Sequence, residues 1–272
     1  WKIAPALAAG NCVLAKPSEI TPYTAFLLGK VAQEAGLPDG VLNIIHGTGP
    51  KAGDAIVRHP KIKAISFTGG TATGQHIARV AAPMFKKLSL ELGGKNPTVI
   101  FPDVDIEATV KEVFRSSFSN QGQICLCGSR IFIHDSIYEA FRNAFVEWVA
   151  SAKVSFPSDP KAQIGAVVSQ GHMEKILNYI ELAKEEGGVI LTGGQRITLD
   201  APYQEGFYIS PTVIEGLPND CRTNQEEIFG PVVSLMPFKD EAEVLSLANG
   251  TKYGLAASVW TQDLNRAHRM AD

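Results

Sequence analysis

The chain has 272 residues, 45% hydrophobic and 19% charged, with a formal net charge of −3; that is enough for a large core or two domains of ordinary globular composition. The charge balance points away from nucleic acid or an anionic membrane as partner, no apolar run reaches transmembrane length, and Trp1-Lys2-Ile3-Ala4-Pro5 is not a secretory signal. Four dispersed cysteines argue against a disulfide framework and for a reducing, cytoplasmic compartment.

Val13 to Lys16 reads as a short strand ended by Pro17-Ser18-Glu19. Thr21-Pro22 then opens a helix whose apolar side carries Phe26, Leu27, Val31 and Ala35 and which stops at Gly36. Val41–Ile45 is the next strand, followed by the turn Gly47-Thr48-Gly49-Pro50 and a short helix around Ala52 to Val57. Ala64–Phe67 is a strand, Thr68–Gly74 a glycine-rich turn, and Ile77, Ala78 and Ala81 mark a helix. Alternating strands and helices imply right-handed crossovers and a doubly wound parallel sheet. Such sheets bind nucleotides at the carboxyl ends of their strands. Neither glycine turn has the spacing Gly-x-Gly-x-x-Gly, so each alone reads as a turn.

Lys87 to Leu92 is a further strand, in which Leu88 and Leu90 alternate with Ser89 and Glu91 before Gly93-Gly94 stops it. A carboxylate among leucines is costly to bury, and burial raises its pKa toward that of a general base. A second set of elements follows without a linker: the strand Thr98–Phe101, a helix through Ile106, Val110, Val113, Phe114 and Phe118, the strand Arg130–His134, and a helix Ile137–Val149. Tyr138, Phe141, Phe145 and Trp148 recur on that last helix at core-facing spacing. His172 to Glu186 reads as an amphipathic helix ended by Gly187-Gly188. His172 and His268 read as ordinary histidines. Glu226 and Glu227 are adjacent on an extended chain and point opposite ways. Tyr253–Trp260 is a last strand, and Asp263 opens a helix.

Between the helix ending near Phe118 and the strand from Arg130 lies Asn120-Gln-Gly-Gln-Ile-Cys125-Leu-Cys127-Gly. One residue between cysteines is the wrong spacing for zinc or a dithiol redox motif, so no metal is expected. On this stretch alone two readings stand level: a pair of small buried thiols, or a thiolate nucleophile.

Glu91-Leu-Gly-Gly-Lys95 and Gln121-Gly-Gln-Ile-Cys125 together resemble the two signatures of the aldehyde dehydrogenase superfamily, and similarity runs along the whole chain. Ile124-Cys-Leu-Cys127 and Arg115-Ser-Ser-Phe118 most resemble the branch that includes 2-aminomuconic semialdehyde dehydrogenase. The resemblance implies a nucleotide-binding domain over residues 1–93, an α/β catalytic domain over 94–272, and further chain at both ends, with an oxyanion-stabilising Asn upstream of Trp1. It implies NAD-dependent oxidation of an aldehyde, such as a semialdehyde, through a thioester on Cys125, with Glu91 as base and Cys127 auxiliary. A betaine- or aliphatic-aldehyde enzyme, transfer to coenzyme A, or an inactive relative are the alternatives. For NAD it implies Lys16, Ser18 and Glu19 at the adenosine, Gly49, Thr68, Gly69, Gly70 and Gly74 along the dinucleotide, the Leu92 carbonyl, Glu227 at the nicotinamide ribose and Phe229 beside the ring. Gly70 stands where the family usually has Ser, and Glu19 favours NAD over NADP by repelling a 2′-phosphate. Its members are commonly homodimers or homotetramers.

Overall fold

The computed structural model describes residues 1–272. The chain divides into two units, Trp1–Leu92 and Gly93–Asp272. The first contains α1 (Ile3–Ala8), β1 (Val13–Ala15), α2 (Tyr23–Glu34), β2 (Leu42–Ile44), α3 (Asp54–Arg58), β3 (Ala64–Thr68), α4 (Thr71–Ala81) and β4 (Lys87–Glu91). β1 pairs in parallel with β2, and β3 with β4. Parallel strands alternating with helices are present here as expected, arranged as two pairs. No strand within the unit bridges them, and all four strands line one cleft of about 1850 Å³.

α2 forms where the sequence places it, but with the opposite face inward. Ala25, Gly29 and Ala32 are its more covered positions, while Phe26, Leu27 and Val31 are exposed. Gly29 explains the choice: a Cβ there would already touch Ile44 at 3.5 Å, so the small-residue face lies against β2. The core of this unit is a cluster of Val57, Ile65, Ile77 and Ala81.

The second unit contains β5 (Asn96–Ile100), α5 (Ile106–Phe118), β6 (Gly128–His134), α6 (Tyr138–Ala150), α7 (Gln170–Glu185), β7 (Val189–Thr192), β8 (Arg196–Ile197), β9 (Tyr208–Ile209), β10 (Thr212–Glu215), α8 (Arg222–Gln225), β11 (Val232–Phe238), α9 (Glu241–Asn249), β12 (Ser258–Trp260) and α10 (Leu264–Ala271). Six of the strands make one sheet in the order β12-β5-β6-β11-β10-β7. All neighbours are parallel except β10 and β7. β6 shows how the sheet is covered: Ile131 and Ile133 join the cluster containing Phe114, Phe118, Phe141 and Phe145 from α5 and α6, and Phe132 joins Phe101, Met236, Phe238 and Val244. The alternation of β side chains assigns them to opposite faces.

Helix starts here are written in the sequence. Asp105, Ser169, Asp240 and Asp263 each accept a hydrogen bond from a first-turn N–H of the helix they precede, a cap worth about 1 kcal/mol. No helix of the chain is long and apolar enough to cross a membrane.

Candidate active site

The cysteine loop begins with the chain winding the wrong way. Asn120 (φ 50°, ψ 40°), Gln121 (φ 58°, ψ 34°) and Gly122 (φ 68°) lie consecutively in the left-handed region. For each of the two non-glycine residues this costs roughly 1–2 kcal/mol, so something must hold them. Gln123 N donates to Asn120 O (3.0 Å), and the Gln123 amide donates to the same carbonyl (3.3 Å) while accepting from Val168 N–H (3.0 Å). In the amide orientation that pairs both of its groups, the Gln121 oxygen accepts from Gly165 N–H (2.8 Å). Gly122 is required twice over, since a Cβ there would sit 2.2 Å from Gly230 O.

Beyond this turn, Cys127 N donates to Ile124 O (3.0 Å), closing a second turn around Cys125 and Leu126. The buried Asn96 amide donates to Cys125 O (2.7 Å) and Cys127 O (3.0 Å). Cys125 is half-buried between exposed Ile124 and Leu126, so its sulfur is not sealed in the core. Burial pushes the Cys127 thiol up, with Cys125 adding to the effect. A thiol held protonated is the poorer nucleophile, which favours Cys125. Both cysteines line a cavity of about 20 Å³ with Gly94, Glu227 and Phe229.

The segment bearing Glu227 and Phe229 is gripped by one face of α7. His172 meets Phe229 O (2.6 Å), Lys175 donates to Glu227 O (3.0 Å), and Tyr179 OH donates to Glu226 (2.6 Å). Phe229 is itself left-handed, at φ 61°. Glu227 accepts from Gly94 N–H (3.1 Å), whereas Glu226 turns away to Arg222. Behind them Lys95 is buried, and burial, reinforced by Arg130, brings its ammonium down to about 7. Arg130, fully buried, donates to the carbonyls of Lys95, Leu247 and Ala248 and to Asn219 Oδ1.

In the first unit, Lys16 directly follows β1; its ammonium donates to Gly47 O (3.2 Å) and lies 3.6 Å from Glu19. Glu19 accepts from Gly49 N–H (3.4 Å). Its own backbone N–H and that of Gly49, ahead of Lys16, hold the Glu19 carboxyl below the usual range. Ser18 Oγ accepts from Ile20 N–H (3.3 Å). Thr68 ends β3, and Gly69 N donates to Glu91 O (3.0 Å). α4 starts after Gly70 with no side-chain cap, and the space where a Gly70 side chain would stand is open. Uncapped first-turn N–H groups beside two glycines suit an anion such as a pyrophosphate. The 1850 Å³ cleft has Lys16 and Gly49 on its wall but contains no cysteine-loop residue. Volume and nucleophile are therefore separate features, and the chemistry follows the nucleophile.

The chain matches the aldehyde dehydrogenase family over residues 1–272. It belongs to that family. It is 50% identical over 273 residues to 2-aminomuconic semialdehyde dehydrogenase of Mus musculus, covering 100% of this chain and 56% of that relative. It is likewise 50% identical to 5-carboxymethyl-2-hydroxymuconate semialdehyde dehydrogenase of Escherichia coli, covering 58% of it. The NAD+ complex of an aldehyde dehydrogenase from Bacillus cereus superposes with a TM-score of 0.95 at 41% identity, over 100% of this chain and 54% of that one. The chain thus spans about half the length of the aldehyde dehydrogenases it matches.

Two sequence expectations, on Glu91 and His172, need correction in this family member. Glu91 is exposed rather than buried: β4 alternates so that Lys87, Ser89 and Glu91 share the open face. Gly74, expected along the dinucleotide, also packs closely: its N–H donates to Gly70 O (3.1 Å) and a Cβ would sit 2.4 Å from Leu92 Cδ2. His172 is no ordinary histidine but a brace for Phe229. Asn96 and Lys175 escaped notice because their partners are backbone groups distant in sequence, which no local pattern reports.

Proposed function

We propose that this protein oxidises an aldehyde to a carboxylic acid, with Cys125 as nucleophile, Glu91 as general base and NAD as hydride acceptor. The observation that carries the reading is the half-buried Cys125 on a strained loop fixed from several sides, in a chain of this family. Cys125 Sγ attacks the carbonyl carbon, and oxidation of that adduct leaves a thioester on the sulfur. Bound NAD supplies the hydride acceptor. Glu91 takes a proton from the water that hydrolyses the thioester; its exposure keeps it open to water.

Lys16, Ser18 and Glu19 hold the adenosine end, Gly49, Thr68, Gly69 and Gly70 the dinucleotide, and Gly74 keeps α4 close to Leu92, whose carbonyl orients the nicotinamide. Glu227 and Phe229, braced by α7, serve its ribose and ring. The names of the relatives from Mus musculus and Escherichia coli point to a semialdehyde as substrate. A reducing compartment suits four free thiols, and a homodimer or homotetramer is the assembly we infer.

NADH formation by the purified protein, measured across several semialdehydes, betaine aldehyde and simple aliphatic aldehydes, tests this reading. Cys125→Ala should abolish it and Cys127→Ala should leave it. Glu91→Gln should keep an NADH burst and slow the steady state. Full activity in Cys125→Ala ends the proposal.

A further inference from the structure

We infer that Asn96 is the positioning residue for the nucleophile: its side-chain amide holds the carbonyls of Cys125 and Cys127 and so sets the direction of the Cys125 side chain. The inference rests on Cys125 being the nucleophile. Asn96 is 4% exposed and begins β5, which is paired on both sides, to β6 and to β12. Both amide hydrogens go to the cysteine loop, at 2.7 Å and 3.0 Å, and Oδ1 accepts from Ala256 N–H at 3.2 Å. One side chain thus spends two donors on the loop and an acceptor on the segment entering β12.

No other side chain of this size does the same. Asp keeps the acceptor and loses both donors, Ser keeps a single hydroxyl donor, and Leu has none. The preceding glycine makes the seat. A Cβ on Gly94 would lie 2.9 Å from Asn96 Oδ1 and 3.3 Å from Cys125 O, within the space the amide bridge uses. The next residue back from the amide is anchored too, because Lys95 O accepts from Arg130 Nε at 3.0 Å. The Gly-Gly-Lys-Asn run is therefore a mount for an amide directed at the cysteine loop, in addition to its place after Glu91. Misplacing a reacting atom by about 1 Å can cost on the order of 100-fold in rate, so a loop held by two charge-neutral hydrogen bonds is a sensitive place to change.

The test compares Asn96→Asp and Asn96→Ser with the parent protein. The first readout needs no turnover: alkylation of Cys125 by iodoacetamide, resolved by peptide mass spectrometry, as a function of pH. Asn96→Asp sets a carboxylate beside both carbonyls and should move the Cys125 profile upward by about one pH unit, with the exposed Cys12 unchanged. The second readout is the NADH burst at saturating aldehyde and NAD. It should fall about 100-fold in Asn96→Asp and about 10-fold in Asn96→Ser, which keeps one donor, while KM for NAD stays within about two-fold. Labelling of Cys127 as fast as Cys12 marks a variant that has lost its fold; Asn96→Ser then carries the comparison. Parent-like profiles and bursts in folded variants overturn the inference. Activity surviving in Cys125→Ala would instead overturn the nucleophile assignment, so the two failures are distinguishable.

Discussion

The candidate residues of the two units lie at opposite ends of their strands. In Trp1–Leu92 they follow strands: Lys16 after β1, Gly49 after β2, Gly69 after β3, and Glu91 and Leu92 where β4 ends. In Gly93–Asp272 they precede them: Asn96 opens β5, Cys125 leads into β6, and Phe229 leads into β11. Backbone polarity makes these ends chemically unlike. After β3 the chain turns into the uncapped start of α4, which offers N–H groups to an anion. Before β6 it leaves the carboxyl end of α5, where carbonyls predominate, and the loop must find donors elsewhere. It finds them in the side-chain amides of Asn96 and Gln123. An anion-binding end needs little more than glycines and a helix start, whereas a nucleophile's loop needs a dense frame.

That contrast can be broken or sharpened by substitution. Gly122→Ala, which forces a left-handed alanine against Gly230 O, should destabilise by about 4 kcal/mol or more, whereas Gly70→Ala, facing open space, should stay within about 1 kcal/mol; urea unfolding followed at both units checks this pair. Phe145→Ala, at 0% exposure in the larger cluster, should cost about 4 kcal/mol, and Ile77→Ala, at 5% in a cluster of four, nearer 2 kcal/mol. Equal losses would mean the first unit is as firmly packed as the second. The last effect is set by pH. Folded Lys95 releases its proton at about 7, while the unfolded chain holds it to about pH 10. Across that window the unfolded state binds more protons, so stability should rise with pH. Lys95→Met should flatten the slope in urea midpoints measured at successive pH values.

Much of the chain is legible without coordinates. The capping Asp263, the aromatic stripe of α6 and the strand that ends at Glu91 are local patterns, and the structure forms them. β11 is harder to read, because Val232–Phe238 is apolar on both faces except at Ser234, with Pro237 near its end; a strand covered on both faces loses the alternation that would announce it. The inward face of α2 misleads for a related reason: burial followed close approach at Gly29 rather than side-chain size. At the site, Cys125 and the Gln-Gly-Gln run stand out by residue type. What they need in order to work does not, since the left-handed turn and the grip of α7 on Glu226 to Phe229 depend on contacts many residues apart.

Arg130 has a consequence for conditions rather than for chemistry. Its guanidinium is answered by three carbonyls and one amide oxygen, none of which takes up a proton as the medium becomes acidic. Nor are buried contacts of this kind thinned by added electrolyte as surface ion pairs are. The tie that joins β6 to Lys95 and to the end of α9 should therefore outlast exposed pairs such as Lys111–Glu107 in brine or dilute acid, leaving the backing of the cysteine loop among the last polar contacts to loosen.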